Sequence, residues 1–160
     1  MLIDAFSIFH NTHLDYSLEI YGIGEEEEKL KALAQKKNIS DSVHFMGFSA
    51  DVNEKMRNAS MYVCSSDYEG ISNSMLEALG MGIPTISTDC PIGGARQVIR
   101  DHENGLLVPV RDIKSLSDAM IEIAEDKELA SKLSDNAYLI RQALQIDQIA
   151  KRWVNYIDED

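Results

Sequence analysis

Apolar and polar positions along this chain switch repeatedly between a short strand-like pattern and a helical period. The strand-like runs are Leu18–Gly22, Val43–Gly47, Met61–Cys64, Ile83–Ser87 and Gly105–Val108. Between them the period lengthens. Leu2–Phe9 reads as a helix that starts abruptly, with no capping residue before it. Glu25–Lys37 places Leu30, Leu33 and Ala34 on one helical face, Ala50–Asn58 is a short helix, and Asn73–Gly80 another. Ile113–Ala124, Lys127–Ala143 (with a break) and Ile146–Ile157 close the series, the last with Ile149, Trp153 and Ile157 on one face. Pro84 fits only near the start of its strand or at a sheet edge, because it cannot donate to a ladder.

Short apolar strands alternating with helices predict an α/β fold, a parallel sheet covered by helices on both faces. Ligands of such sheets bind at the carboxyl ends of the strands. The loops that matter therefore follow Tyr21, Met46, Cys64, Ser87 and Val108. No internal repeat or linker interrupts the pattern, so residues 1–160 are expected to form one domain.

Charge narrows the partners. The 160 residues are 44% hydrophobic and 26% charged, with a net charge of −12. That balance argues against nucleic acid or an anionic membrane as the partner of this piece. An anionic ligand would need help from helix amides or from cations elsewhere. No apolar run reaches bilayer length, and no transmembrane segment is expected. Cys64 and Cys90 form no CxxC pair and suggest small buried thiols in a reducing compartment. His10, His13, His44 and His102 lack metal-ligand spacing, so neither a metal nor another cofactor is expected.

Two strand-to-helix turns could hold a phosphate. Gly22-Ile23-Gly24 starts like a dinucleotide fingerprint, but Glu27 stands where a third glycine belongs. Glu25–Glu28 crowd the start of the next helix, where they satisfy its positive end and repel a pyrophosphate. The expectation there is a turn and a self-capped surface helix. The second turn is Glu69-Gly70-Ile71-Ser72-Asn73-Ser74. Gly70 admits close approach of backbone, Ser72 or Asn73 can cap, and the first turn contains no acid, so its amides stay available to an anion. Glu77 follows Asn73 by four residues, about 6 Å along the axis. A carboxylate there suits two vicinal hydroxyls of a ribose. Glu69, on the other side of the phosphate, suits hydroxyls of the group beyond it. On spacing alone, Glu69 reads as a solvated loop acid and Glu77 as the wet face of an amphipathic helix. Met75, Leu76 and Leu79 around Glu77, with Ala78, Gly80 and Gly82 as a small surface for packing on the sheet, argue that Glu77 is partnered.

The run Glu69-Gly70 … Leu76-Glu77-Ala78 … Gly80 … Gly82-Ile83-Pro84 resembles the Glu-x7-Glu signature of retaining glycosyltransferases of family 4, the glycosyl transferases group 1. Four other segments resemble the family in order and spacing: Leu18–Gly24, Val43–Gly47, Thr88–Gly94 and Asn104–Pro109. The likeness reaches to about Asn136. It implies a Rossmann-like lobe of a GT-B fold. Glu69 would be the catalytic-site acid contacting the donor sugar, without acting as a nucleophile. Gly70, Ile71, Ser72, Asn73 and Ser74 would serve the sugar and diphosphate, and Glu77 the ribose. The loop after Gly47 would flank the base. Metal independence and retention by front-face attack are also implied.

The sequence departs from the family in starting too late for an acceptor-binding lobe and for the arginine and lysine that neutralise the diphosphate. The chain is therefore expected to be the donor-binding lobe, truncated at its amino-terminal edge, with residues 146–160 forming a helix that packs on the missing lobe. It is expected to fold but not to catalyse transfer alone. By analogy the donor is a uridine diphosphate sugar, the acceptor a glycan or lipid-linked molecule of surface-polysaccharide or glycoconjugate synthesis, and the location cytoplasmic, peripheral to the inner membrane face. A non-catalytic nucleotide-sugar-binding module is the alternative. A dehydrogenase half is disfavoured by the acidic Gly24 helix, and a receiver-like domain by the lack of a clustered acidic pocket with a lysine.

Overall fold

The computed structural model describes residues 1–158. Glu159 and Asp160 of the acidic tail lie outside the described residues. Among the described residues five strands run β1 (Leu18–Tyr21), β2 (Val43–Gly47), β3 (Tyr62–Cys64), β4 (Thr85–Thr88) and β5 (Leu106–Val108). The helices are α1 (Leu2–His10), α2 (Glu27–Lys36), α3 (Val52–Met56), α4 (Asn73–Gly80), α5 (Gly94–Val98), α6 (Ile113–Glu125), α7 (Lys127–Tyr138), α8 (Ile140–Ala143) and α9 (Ile146–Asp158). Every pairing is parallel, as expected, but the strands form two sheets, β1-β2 and β3-β4-β5.

The two sheets are covered differently. In β4 all four residues are buried, and its neighbours contribute to cores on both faces. Ile86, Leu106 and Val108 meet α1 and α6 on one face, through Phe6, Phe9, Leu116 and Met120. On the other, Leu107 and Tyr62 meet Met75 and Leu79 of α4 and Ala95 and Ile99 in and after α5. β1 and β2 pack only alternate residues inward: Leu18, Ile20, Val43 and Phe45 join the first core, while Glu19, His44 and Met46 are exposed. That is the signature of a half-buried sheet. Pro84 sits one residue ahead of β4 and accepts from Tyr62 N–H, so its missing donor costs nothing.

Caps fix the helices that matter to the first core. Asp112 accepts from Ser115 N–H at 2.9 Å and starts α6. Asp126 does the same for α7 through Leu129 N–H at 2.9 Å. The Ser115 backbone and hydroxyl hydrogen bonds hold the Asp112 carboxyl below its ordinary value. A depressed folded value means that this stability is fully present above the unfolded aspartate range and is lost as pH falls through the folded value. Asp112→Asn keeps the cap geometry and removes the titration. Urea midpoints measured from pH 6 down to pH 2 are expected to fall less steeply for the variant than for the parent.

Two expectations about packing change. Gly80 and Gly82 face α7 and α8, where Arg141 and Ser134 lie closest, and not the sheet. Only Ala78 of that trio is fully buried, against Met56 and Ile83. The apolar stripe of α9 is exposed: Trp153 is 63% and Ile157 65% accessible.

Candidate functional site

The turn after β3 and the start of α4 stand at the carboxyl end of the β3-β4-β5 sheet, and all the predicted site residues gather there. α4 begins at Asn73, with Ser72 as its cap in an extended conformation, its hydroxyl accepting from Met75 N–H at 3.4 Å. Leu76 N–H bonds to the Ser72 carbonyl. The amides of Asn73 and Ser74 have no partner among the described residues. No acid occupies the first turn. These are the conditions for an anion site at a helix amino terminus. Gly70, Ile71, Asn73, Ser74 and Glu77 are exposed, and Glu69 is half-buried. A Cβ at Gly70 would meet nothing within 4 Å, so its bare side faces open space.

Glu77 is exposed and has no ion pair or hydrogen bond among the described residues. The apolar residues that flank it in sequence point elsewhere, Met75 and Leu79 into the core. The expectation that its surroundings partner it is therefore not met within the protein. Its carboxylate is free to take a ligand.

Several residues that hold this turn carried no signal in the sequence. The Tyr62 hydroxyl hydrogen-bonds to Ser74 Oγ at 2.7 Å, and Ser74 Oγ to Ser72 Oγ at 3.0 Å. Burial raises the Tyr62 phenol above its ordinary value, against a smaller opposing effect of the Ser74 bond, so it stays protonated. Tyr62→Phe removes the anchor of Ser74 while keeping the ring. It is expected to weaken anion binding at α4 by about threefold to tenfold, the worth of one neutral hydrogen bond. A titration with nucleotide, beside an unchanged thermal midpoint, checks this.

The loop is also tied sideways. Thr88 Oγ1 and Cys90 Sγ both donate to the Ser66 carbonyl, at 2.6 and 3.1 Å. Arg111, after β5, donates from Nε to Asp67 at 2.8 Å. Arg96 makes a two-pronged pair with Asp89. Arg96 of α5 and Arg111 after β5 are thus already engaged by acids. Gly94, at the start of α5, lies against the loop itself: a Cβ there would sit 1.9 Å from the Gly70 carbonyl oxygen. The Gly93-Gly94 pair was the one sequence clue to this close approach.

The competing turn after β1 is closed to anions. Gly22 has φ +128°, and α2 follows with Glu26 at its cap position and Glu27 and Glu28 in its first turn. Lys29 and Lys31 bridge these acids at 2.7 to 2.9 Å, making a self-contained charged surface. After β2, Phe48 is 78% exposed and shares with Gly22, Ser49 and Ser74 the rim of one cavity.

Comparison with known proteins agrees with this geometry. Residues 1–140 match the family model described as glycosyl transferases group 1. A Haemophilus influenzae protein described as an uncharacterized glycosyltransferase is 30% identical over 152 residues, 95% of this chain and 43% of that protein. The C-terminal domain of a glycosyl transferase group 1 family protein (LpcC) from Francisella tularensis has a solved structure 26% identical to this chain. It aligns at TM-score 0.78 over 89% of this chain and 76% of that one. The structure of Anabaena Alr3699/HepE in complex with UDP is 20% identical with TM-score 0.88, over 99% of this chain and 44% of that one, a likeness of fold. The fold is that of the C-terminal lobe of GT-B glycosyltransferases. The chain spans less than half the length of the Haemophilus relative.

Proposed function

The chain belongs to the glycosyl transferases group 1 family, and we propose that it is the lobe of a retaining glycosyltransferase that binds a nucleotide-diphosphate sugar. The start of α4 carries this reading. Its Asn73 and Ser74 amides are unpartnered among the described residues, its first turn is free of acids, and a glutamate stands on either side. The diphosphate caps α4. Glu77, about 6 Å along the helix from Asn73, accepts from the ribose hydroxyls. Glu69 accepts from hydroxyls of the transferred sugar and orients it. Phe48, exposed on the rim beside Gly22, offers a face on which the base stacks.

Retention proceeds by attack on the same face from which the diphosphate leaves, with no protein nucleophile. The protein's share of the work is positioning and charge stabilisation. Arg96 and Arg111 are paired with Asp89 and Asp67, and the acceptor proposed is a glycan or lipid-linked molecule. No metal enters the scheme. UDP, present in the Anabaena structure, is the nucleotide favoured here. The surroundings favoured are the cytoplasmic face of the membrane and the assembly of surface polysaccharide or glycoconjugate. Among the described residues no helix is long and apolar enough to cross a membrane.

Calorimetric titration of the chain with UDP-, GDP- and ADP-sugars tests this assignment. A UDP-sugar is expected to bind most tightly, and Glu69→Gln to weaken the UDP-sugar while leaving UDP unchanged. Equal affinity of parent and variant for the UDP-sugar would remove Glu69 from the sugar site.

A further inference from the structure

Among the described residues, three that are not glycine have a positive φ: Asn38 at 59°, His102 at 57° and Arg111 at 63°. Asparagine visits this region readily. His102 is held between Asp101 and Glu122 at the amino end of β5, away from the candidate site. Arg111 instead follows β5, at the carboxyl ends of the strands. Asp112 N–H donates to the Pro109 carbonyl at 3.4 Å and closes a four-residue turn in which Arg111 is third. A positive φ at that position alone marks a type II turn, which calls for glycine. An arginine there is strained, and such strain persists only where the surroundings hold it. Here they hold it from both sides, because Val108 is buried in β5 before the turn and Asp112 caps α6 after it.

The strained residue reaches the loop that carries Glu69. Arg111 Nε donates to Asp67 Oδ2 at 2.8 Å, across 44 positions of sequence. β3 and β5 flank β4, so their ends stand about 10 Å apart and a long side chain is needed to bridge them. Asp67 precedes Glu69 by two residues. Among the described residues, no N–H from Asp67 to Ile71 donates to a backbone carbonyl, and Arg111 makes the one side-chain hydrogen bond to this stretch. The loop is otherwise pinned ahead of it, at the Ser66 carbonyl by Thr88 and Cys90, and behind it, where Ser72 caps α4.

Resting on the reading that Glu69 meets the donor sugar, we propose that Arg111 is a positioning residue for that sugar. Its left-handed backbone and its pair with Asp67 select the loop conformation in which Glu69 stands at the sugar hydroxyls. Arg111 acts through Asp67 and is not itself a contact of the donor. UDP, which meets α4 and Glu77 beyond the Ser72 cap, is indifferent to it. The pair is exposed, 78% at Arg111 and 48% at Asp67, and an ion pair in solvent adds little to the stability of a fold. Its effect is on the choice among loop conformations.

Arg111→Gly and Arg111→Ala together test this, since both lose the pair but only glycine relieves the strain. The glycine variant is expected to melt about 2–4 °C above the alanine variant. Both are expected to weaken a UDP-sugar by the same factor, about threefold, and to leave UDP unchanged. Asp67→Asn should give the same loss, and combining it with Arg111→Gly should cost nothing more. A residue serving stability alone would instead give affinities that follow the two midpoints. ¹⁵N relaxation without ligand reads the loop itself. Order parameters of Tyr68, Glu69 and Gly70 are expected to fall from the rigid range, about 0.85, to below about 0.6 in both Arg111 variants. Unchanged order parameters, or an unchanged UDP-sugar affinity beside a parent that binds it, overturn the positioning role and leave the donor assignment standing. A parent that binds no UDP-sugar, or binds it equally well as Glu69→Gln, overturns the sugar reading and the positioning role with it.

Discussion

Glu77→Gln is expected to weaken UDP binding by about tenfold to a hundredfold, and to weaken a UDP-sugar by the same factor. The substitution removes the charge and one of two accepting oxygens from a carboxylate with no partner among the described residues. Hydrogen bonds to a charged group contribute about 1.5–3 kcal/mol, which sets the range. An exposed side chain with no internal contact gives stability little to lose, so the thermal midpoint should stay put. The ribose assignment has its own control. 2′-Deoxy-UDP should bind the parent more weakly, and Glu77→Gln should cost it much less than it costs UDP, because the two changes remove one interaction. Additive losses would place Glu77 elsewhere on the ligand.

Gly94→Ala is expected to abolish donor binding although Gly94 lies outside the Glu69–Glu77 run. A methyl group there overlaps the Gly70 carbonyl oxygen at 1.9 Å; the methyl is fixed rigidly to the α5 backbone and the oxygen belongs to the loop backbone, so neither can step aside alone. The Glu69–Ser72 loop must move. Overpacking of this kind costs about 1–3 kcal/mol of stability, but the larger effect is on geometry, since the loop carries Glu69 and leads into the cap of α4. Nucleotide titration should fall below detection while the circular dichroism spectrum of the folded chain persists. Gly80→Ala is the comparison: its Cβ would meet only the flexible Arg141 side chain at 3.6 Å, and binding should be unaffected.

These two residues also mark how far the sequence could be read. α4 appears at Asn73–Gly80 as expected, because an extended serine cap and an acid-free first turn are local facts. The strands fall within a residue or two of expectation for the same reason. α5 did not show, being five residues that open on Gly93-Gly94 with no apolar period. Nor did the division into two sheets. Alternation in Leu18-Glu19-Ile20 and Val43-His44-Phe45 hints that β1 and β2 are half-buried, but which strand edges meet is settled by tertiary packing. Within the site, the candidate ligand-facing residues were legible as one contiguous run. The residues that hold the run in place were not. Tyr62, Thr88, Cys90 and Gly94 act across 12 to 24 positions of sequence, through contacts that leave no periodic trace. Glu77 shows the converse limit. Its apolar neighbours in sequence turn into the core and leave it in solvent.

The nucleotide site proposed is the anion-binding turn at α4 and not the glycine turn after β1. Titration of ¹⁵N-labelled chain with a UDP-sugar, followed by amide chemical shifts, tests it most directly. Saturable shifts are expected at Gly70 through Ser74 and at Glu77, the largest at the Asn73 and Ser74 amides that have no partner among the described residues, with Glu25 to Glu28 unmoved. Shifts concentrated at Gly22 through Glu28, with Asn73 and Ser74 silent, would contradict it.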